Sequence, residues 1–219
     1  MVSAPHLPHV GTPHRDRAPM QRFAASILDR RRASAGLAER LRPYELRWLE
    51  EPLFPEDLEG HIQIRKAVTW IPIATGERLY TKFPFAEIVE RHAADVLQPD
   101  IANAGGITEL KKVANMAEVY YMHILPHCAI GPVAFTASMH VDAVVPNFLI
   151  QEHIPQSLGG PFAGPPGRAR NRPLSPIQEE GLLVEPWQVV NGHIELPTKP
   201  GLGIEINERV LKNDFVYEE

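Results

Sequence analysis

The stretch Trp48-Leu-Glu-Glu-Pro52 decides the fold, because four later segments repeat its design. Each segment is a short apolar run that ends in a polar residue, and these end residues stand 27, 23, 27 and 25 residues apart. A unit of one strand and one helix has about that length, roughly 30 residues. In chain order the end residues are Glu50, Glu77, Asp100, His127 and Glu152.

This periodic pattern predicts an α/β fold. A polar residue after each strand, repeated at a near-constant period, is typical of the C-terminal rim of a TIM-type (β/α) barrel. The carboxyl ends of parallel strands meet at one mouth, so we expect the five polar side chains to point into it. The predicted strands are 46–50, 70–75, 95–100, 122–127 and 148–152.

Helices are predicted between the strands, at 33–42, 55–67, 85–92, 108–120 and 133–144. The segment 108–120 is the most regular, since Leu110, Val113 and Ala117 recur at helical spacing. After residue 152 the regularity ends in a loop rich in Pro, Gly and Arg at 155–176. The dipeptide Asn191-Gly192 indicates a hairpin over 187–196. A final helical turn is predicted at 207–212.

Composition limits the classes of function. The chain of 219 residues can bury one substantial core. Its net charge of −5 gives no electrostatic reason to expect nucleic acid or an anionic membrane as a partner. No apolar run approaches the roughly 18 residues of a membrane span. The single cysteine, Cys128, rules out an intrachain disulfide and favours a reducing compartment, so we predict a cytoplasmic location.

Two of the rim residues have the chemistry of a metal site. Glu50 and Glu77 end neighbouring strands and precede tight turns, so their carboxylates are expected at one rim. Carboxylate oxygens suit Mg²⁺, which needs octahedral oxygen ligands and tolerates bound waters. The alternative for either residue is a solvated surface glutamate.

The remaining three rim residues have the chemistry of proton transfer. Asp100 lies one strand before His127, where it could hydrogen-bond the imidazole, fix its tautomer and raise its basicity. Glu152, on the next strand, could donate a proton to a developing oxyanion if burial raises its pKa. The alternative for His127 is a buried structural histidine.

Taken in order, these motifs resemble the enolase superfamily. The resemblance is nearest to the mandelate racemase subgroup, and within it to sugar-acid dehydratases of the galactonate dehydratase type. It covers roughly residues 38 to 210. The motifs that carry it are Trp48-Leu-Glu-Glu-Pro52, Ala74-Thr-Gly-Glu-Arg78, Gln98-Pro-Asp100, Asn103-Ala-Gly-Gly-Ile-Thr108, Pro126-His127, Gln151-Glu152 and Lys199-Pro-Gly-Leu-Gly203.

The resemblance implies a Mg²⁺-dependent acid-sugar dehydratase. Such an enzyme abstracts the proton alpha to the carboxylate of a galactonate-like aldonate and eliminates water, which gives a 2-keto-3-deoxy acid. Glu50 and Glu77 would be two of its Mg²⁺ ligands, and His127 with Asp100 would be its catalytic dyad. Glu152 would be the catalytic acid beside the substrate carboxylate, so Glu152 and His127 would also bind substrate. The implied partners are a small-molecule sugar acid and further copies of the chain in a homo-oligomer.

The resemblance also predicts three segments. Residues 1–37 are expected to be an irregular or disordered N-terminal arm that does not match the family. Residues 38–154 are expected to form the C-terminal half of an enolase-type barrel, strands four to eight. Residues 155–219 are expected to form a C-terminal loop, hairpin and closing segment.

Family members also carry an N-terminal capping domain and three earlier barrel strands, the third of which ends in the first metal-ligating aspartate. The sequence contains no counterpart of these parts. Two alternatives to the dehydratase therefore stay open. One is a truncated, catalytically inactive fragment. The other is a racemase or epimerase of the same superfamily, which would need a second base on the opposite face of the substrate.

Overall fold

The computed structural model describes residues 27–161 and 176–214 of the protein. Its strands are β1 (Leu49–Glu50), β2 (Ile73–Thr75), β3 (Val96–Leu97) and β4 (His123–Ile124). Its helices are α1 (Ile27–Leu41), α2 (Leu58–Ala67), α3 (Lys82–Glu90), α4 (Ile101–Ala104), α5 (Ile107–Val119), α6 (Pro132–Asp142), α7 (Pro176–Glu180) and α8 (Glu208–Asp214). Short 3₁₀ helices lie at Arg42–Tyr44 and Pro155–Leu158.

The strands form one parallel sheet in the order β1-β2-β3-β4, and a helix lies between each strand and the next. A further parallel bridge joins Ile124 to Phe148, so the predicted fifth strand lies beside β4 but makes only one bridge. A second bridge joins Asp100 to His127 beyond the strand ends. Successive α/β units with parallel strands confirm the predicted fold class. The strands are shorter than predicted, and of the five polar rim residues only Glu50 lies within a strand.

Alternation along the strands divides the core into two layers. Trp48 packs with Ala74, Val96 and Leu125 in a cluster made of residues from the strands and from positions next to them. The neighbouring residues Leu49, Ile73, Leu97 and Ile124 pack instead against the helices. This alternation is what directs rim residues towards the mouth.

Helix α1 begins at Ile27, earlier than the predicted start at residue 33, and runs through Gly36. The predicted irregular arm of residues 1–37 is therefore wrong from residue 27 onward. The physical reason is tertiary. Arg31 of α1 donates through Nε to Asp57 at 2.9 Å, and Ala38 is buried against the α2 layer. These contacts offset the weak helix propensity of Gly36, whose position is open to solvent.

The C-terminal part keeps the predicted turn. The backbones of Val190 and His193 exchange two hydrogen bonds of 2.8 and 3.0 Å, with Asn191 and Gly192 at φ of 53° and 76° between them. That geometry is the turn that Asn-Gly favours. The predicted closing turn is α8. The rest of the predicted arm, 1–26, and most of the predicted loop, 162–175, lie outside the described residues. Within the described part of the chain, no helix is long and apolar enough to cross a membrane.

Candidate active site

Three of the predicted rim residues, Glu77, Asp100 and Glu152, lie around the imidazole of a fourth, His127. Its Nδ1 lies 2.8 Å from Asp100 Oδ2, and its Nε2 lies 3.5 Å from Glu77 Oε2 and 3.8 Å from Glu152 Oε2. Glu50, the fifth, stands on the β1 side of the same mouth, where its charge acts on Glu77. The structure therefore places all five predicted residues at one end of the sheet.

Asp100 is held in place from two sides. Its carboxylate caps α4, since Oδ1 accepts from the backbone N–H groups of Ala102 and Asn103 at 2.8 and 3.1 Å, while Oδ2 faces His127. Asp100 is 1% exposed. Burial alone would raise the pKa of this carboxyl, but the hydrogen bonds from His127 and from the helix N–H groups hold it below its ordinary value. Asp100 is therefore a fixed anion.

His127 is polarised by this anion. The hydrogen bond to Asp100 raises the pKa of the imidazole, burial opposes the rise, and the charges of Glu152 and Glu77 add to it. Because Asp100 is an acceptor, Nδ1 carries the proton, which leaves Nε2 as the atom that can exchange a proton in the mouth. Nε2 also faces the two glutamates, so a proton there has acceptors close by.

Glu152 is oriented by the backbone. Its Oε2 accepts from the N–H of Cys128 at 3.2 Å, one residue beyond His127. Its side chain is 38% exposed, so the carboxylate is open to a ligand in the mouth. The predicted role of Glu152 as a proton donor depends on burial of its side chain. In this structure that burial is only partial.

The surroundings of Glu50 and Glu77 are those of two candidate metal ligands. Glu50 Oε2 accepts from Gln98 Nε2 at 2.8 Å and from Trp48 Nε1 at 3.1 Å. Glu77 is half-buried, and its pKa is raised by burial and by the nearby charges of Glu51 and Glu50, although His127 opposes the rise. Glu50 is exposed, but its negative charge acts on the half-buried Glu77, and a bound cation would stabilise the two like charges, so the donor set fits Mg²⁺. Within residues 27–161 and 176–214, no group of three or more Asp, Glu, His and Cys side chains is arranged to hold a metal ion.

Two residues of this rim were missed by the sequence analysis. Gln98 is 2% exposed and holds Glu50, and its Oε1 has no hydrogen-bond partner. Glu51 accepts from Thr75 Oγ1 at 2.7 Å, from the N–H of Gly76 at 3.1 Å and from Arg78 Nε at 3.0 Å. Glu51 therefore ties β1 to the turn that carries Glu77. The available signal for Gln98 was its place two residues before Asp100, on the same face of an extended segment.

This geometry agrees with comparisons to known proteins. The family model described as enolase C-terminal domain-like matches residues 24–210. The chain belongs to this enolase C-terminal domain-like family. The match begins before residue 38, so α1 is part of the enolase-like region and not of a foreign arm.

Solved enolase-superfamily structures match the same part of the chain. A mandelate racemase/muconate lactonizing enzyme-like protein from Roseovarius sp. TM1035 is 38% identical, with a TM-score of 0.70, and the match covers 84% of this chain and 41% of that one. The mandelate racemase/muconate lactonizing enzyme from Jannaschia sp. CCS1 is 32% identical, with a TM-score of 0.70 and coverage of 86% and 44%.

A third match is an enolase from Agrobacterium radiobacter, provisionally named a galactarate dehydratase and solved with sodium and L-malate. It is 30% identical, with a TM-score of 0.72 and coverage of 86% of this chain and 47% of that one. The predicted resemblance to the mandelate racemase subgroup and its dehydratases is confirmed. The chain spans less than half of the length of each of these relatives.

Proposed function

We propose that the chain carries the proton-transfer half of a Mg²⁺-dependent acid-sugar dehydratase. The proposed reaction removes the proton alpha to the carboxylate of an aldonate and expels water, giving a 2-keto-3-deoxy acid. The observation that carries the proposal is the 2.8 Å contact between His127 Nδ1 and Asp100 Oδ2. It leaves Nε2 facing the mouth beside Glu77 and Glu152.

The metal would be held by Glu50 and Glu77, with waters or substrate oxygens completing the shell. When bound there, Mg²⁺ supplies positive charge beside the substrate carboxylate as the α-proton leaves. Gln98 and Trp48 fix the direction of the Glu50 carboxylate through their hydrogen bonds to Oε2. Among the described residues, Glu50 Oε1 has no hydrogen-bond partner, so it is the oxygen left for a metal ion.

The proton is handled by His127. Its Nε2 accepts or donates the proton, at the α-carbon or at the leaving 3-hydroxyl, according to which face of the substrate it meets. Asp100 keeps the tautomer fixed and stabilises the imidazolium that exists while Nε2 holds the proton. Glu152, oriented by the N–H of Cys128, is the candidate donor to the carboxylate end of the substrate, where negative charge grows during proton removal, and it can donate only in its protonated form.

One relative supports this substrate class, and a second supports the elimination of water. The Agrobacterium radiobacter relative is provisionally named a galactarate dehydratase and was solved with L-malate. L-malate carries a hydroxyl next to a carboxylate, the same pair of groups that an aldonate offers. A second relative, from Mesorhizobium loti, is provisionally named a dehydratase and is 30% identical.

The test is an aldonate panel assayed with Mg²⁺ and with a chelator, using detection of the 2-keto-3-deoxy product. The proposal expects at least one aldonate to give product with Mg²⁺ and none to give product with the chelator. Interconversion of stereoisomers without loss of water would instead favour a racemase or epimerase. No product from any aldonate would favour the inactive fragment.

A further inference from the structure

The motif Asn103-Ala-Gly-Gly-Ile-Thr108 carries part of the family resemblance, but the proposed function gives it no role. Its first side chain reaches back to the turn that carries Glu77. Asn103 Nδ2 donates to the backbone carbonyl oxygen of Glu77 over 2.9 Å, although 26 positions separate the two residues in the chain. Asn103 is half-buried, so water competes only in part for this hydrogen bond. The motif is therefore joined to the proposed metal site.

Asn103 is itself held by the carboxylate of Asp100. The backbone N–H of Asn103 donates to Asp100 Oδ1 over 3.1 Å, within the first turn of α4. The other oxygen of that carboxylate, Oδ2, lies 2.8 Å from His127 Nδ1. Because the side chain of Asp100 is buried and hydrogen-bonded through both oxygens, it is fixed in place. One buried carboxylate therefore positions both the imidazole and Asn103.

These contacts form a closed circuit of four residues. One path from Asp100 leads directly to the imidazole of His127. The second path leads through Asn103 to the backbone of Glu77, whose Oε2 lies 3.5 Å from His127 Nε2. A movement of the Glu77 backbone therefore changes the distance between the proposed metal ligand and the nitrogen that exchanges the proton. The hydrogen bond from Asn103 is the contact in this circuit that restrains that backbone.

The turn that carries Glu77 is anchored on two sides. On the β1 side, Glu51 accepts from the N–H of Gly76 at 3.1 Å and from Arg78 Nε at 3.0 Å. On the α4 side, Asn103 is the one donor to the Glu77 carbonyl within the described ranges of the chain. Gly76, directly before Glu77, has a φ of 133°. Because glycine loses more conformational freedom on folding than any other residue, the peptide group after it depends on such contacts to stay fixed.

We propose that Asn103 is a positioning residue for Glu77, which holds the Glu77 backbone from the side of α4 and so keeps its carboxylate beside His127 Nε2 before any metal ion binds. The inference rests on the proposed function, since it takes Glu77 as a metal ligand, and it adds that this ligand is preorganised. A preorganised group loses less freedom when its ligand binds. Mg²⁺ affinity should therefore depend on Asn103, whose hydrogen bond acts through the Glu77 backbone.

The first measurement needs no metal and uses the full 219-residue chain. Backbone nitrogen relaxation of the Arg78 amide, measured by NMR, reports on the peptide group that contains the Glu77 carbonyl. Asn103→Leu keeps the size of the side chain and removes its donor, so the Arg78 order parameter should fall from about 0.85, typical of rigid backbone, towards about 0.6. Asn115→Leu, at an exposed position on α5, is the matched control and should leave that value unchanged.

The second measurement is the Mg²⁺ affinity of the same samples, by isothermal titration calorimetry. Asn103→Leu should weaken binding at least about tenfold, the typical effect of losing a residue that orients a metal ligand. A merely structural role would lower the free energy of unfolding in urea and leave the affinity unchanged. Asn103→Ala removes the donor without adding a bulky side chain, and it replaces Asn103→Leu in both measurements if the leucine variant does not fold.

The outcomes separate this proposal from the proposed function. A wild type that binds no Mg²⁺ would contradict the proposed function, while the relaxation of the Arg78 amide would still decide the role of Asn103. An Arg78 order parameter that is unchanged in a folded Asn103 variant would overturn the proposal. An unchanged affinity in that variant, where the wild type binds Mg²⁺, would overturn it as well.

Discussion

The imidazole of His127 donates through Nδ1 to Oδ2 of Asp100 over 2.8 Å, across the ends of two neighbouring strands. A parallel bridge between the two backbones sets this distance. The contact fixes a tautomer, raises the pKa of the imidazole and leaves Nε2 free for proton transfer.

Replacing Asp100 with Asn should lower the pKa of His127, because the substitution removes the anion that favours imidazolium while the burial that disfavours it remains. An NMR titration of the His127 ring proton in metal-free buffer measures this change. The ring signal of His92, an exposed residue on another part of the chain, serves as the internal control. An unchanged His127 titration would mean that Asp100 does not control the imidazole.

Glu77→Gln should abolish Mg²⁺ binding, because it removes the charge of one of the two proposed ligands. Isothermal titration calorimetry with MgCl₂ measures the affinity. Glu90→Gln is the matched control, since Glu90 is exposed at the end of α3 and away from the rim. Equal Mg²⁺ affinity in Glu77→Gln and wild type would place the metal elsewhere.

Gln98→Leu should weaken Mg²⁺ binding by about tenfold to a hundredfold, because residues that orient metal ligands typically contribute that much. The substitution replaces the buried amide with an apolar side chain of similar size and so removes the donor to Glu50 Oε2. The Mg²⁺-dependent rise of the unfolding midpoint reports the affinity. Gln188→Leu, at an exposed position, is the control. A midpoint rise in Gln98→Leu as large as in the wild type would remove Gln98 from this role.

Strand order and the five rim residues could be predicted from sequence because one signal recurs. An apolar run followed by a polar residue, about every 25 residues, requires only that strands be parallel and that their ends coincide. The pairing of Asp100 with His127 follows from that geometry. Residues outside the repeating pattern, such as Gln98, could not be predicted in this way. The hydrogen bond from Gln98 to Glu50 depends on a three-dimensional contact between strands that are distant in the sequence.

Neither the first residue of α1 nor the burial of Asp142 could be predicted from the sequence. Gly36 indicated a break, but the contact of Arg31 with Asp57 holds the helix continuous through it. From the sequence alone, Asp142 would be predicted to be an exposed residue at the end of a helix. Its burial depends on the hairpin at 189–196, which the chain reaches only about fifty residues later.

Glu51 should make stability depend on pH. Burial would raise its pKa, but the hydrogen bonds from Arg78, Thr75 and Gly76 hold the pKa below the ordinary value. The folded-state pKa is depressed, so the contribution is present above the unfolded pKa and is lost as pH falls through the folded value. Glu51→Gln should therefore lower the free energy of unfolding by about 1–3 kcal/mol at neutral pH, as measured by urea unfolding. The loss is no larger because Arg78 is partly exposed and solvent screens the pair.

The same substitution should cost progressively less as pH falls below about 4. Glu118→Gln, which changes a charge on the exposed face of α5, where no described residue hydrogen-bonds the side chain, is the control. A cost that is the same at neutral and acidic pH would mean that Glu51 acts through packing and not through its charge.

The most direct measurement of the central claim compares the wild type with His127→Asn on an aldonate that gives product, with Mg²⁺ affinity measured on the same samples. The account predicts that His127→Asn loses formation of the 2-keto-3-deoxy acid, by at least about a hundredfold, and keeps its Mg²⁺ affinity. That outcome would separate proton transfer at His127 from metal binding at Glu50 and Glu77. Product formation at the wild-type rate by His127→Asn would contradict the account, because the proton would then be moved by a different residue.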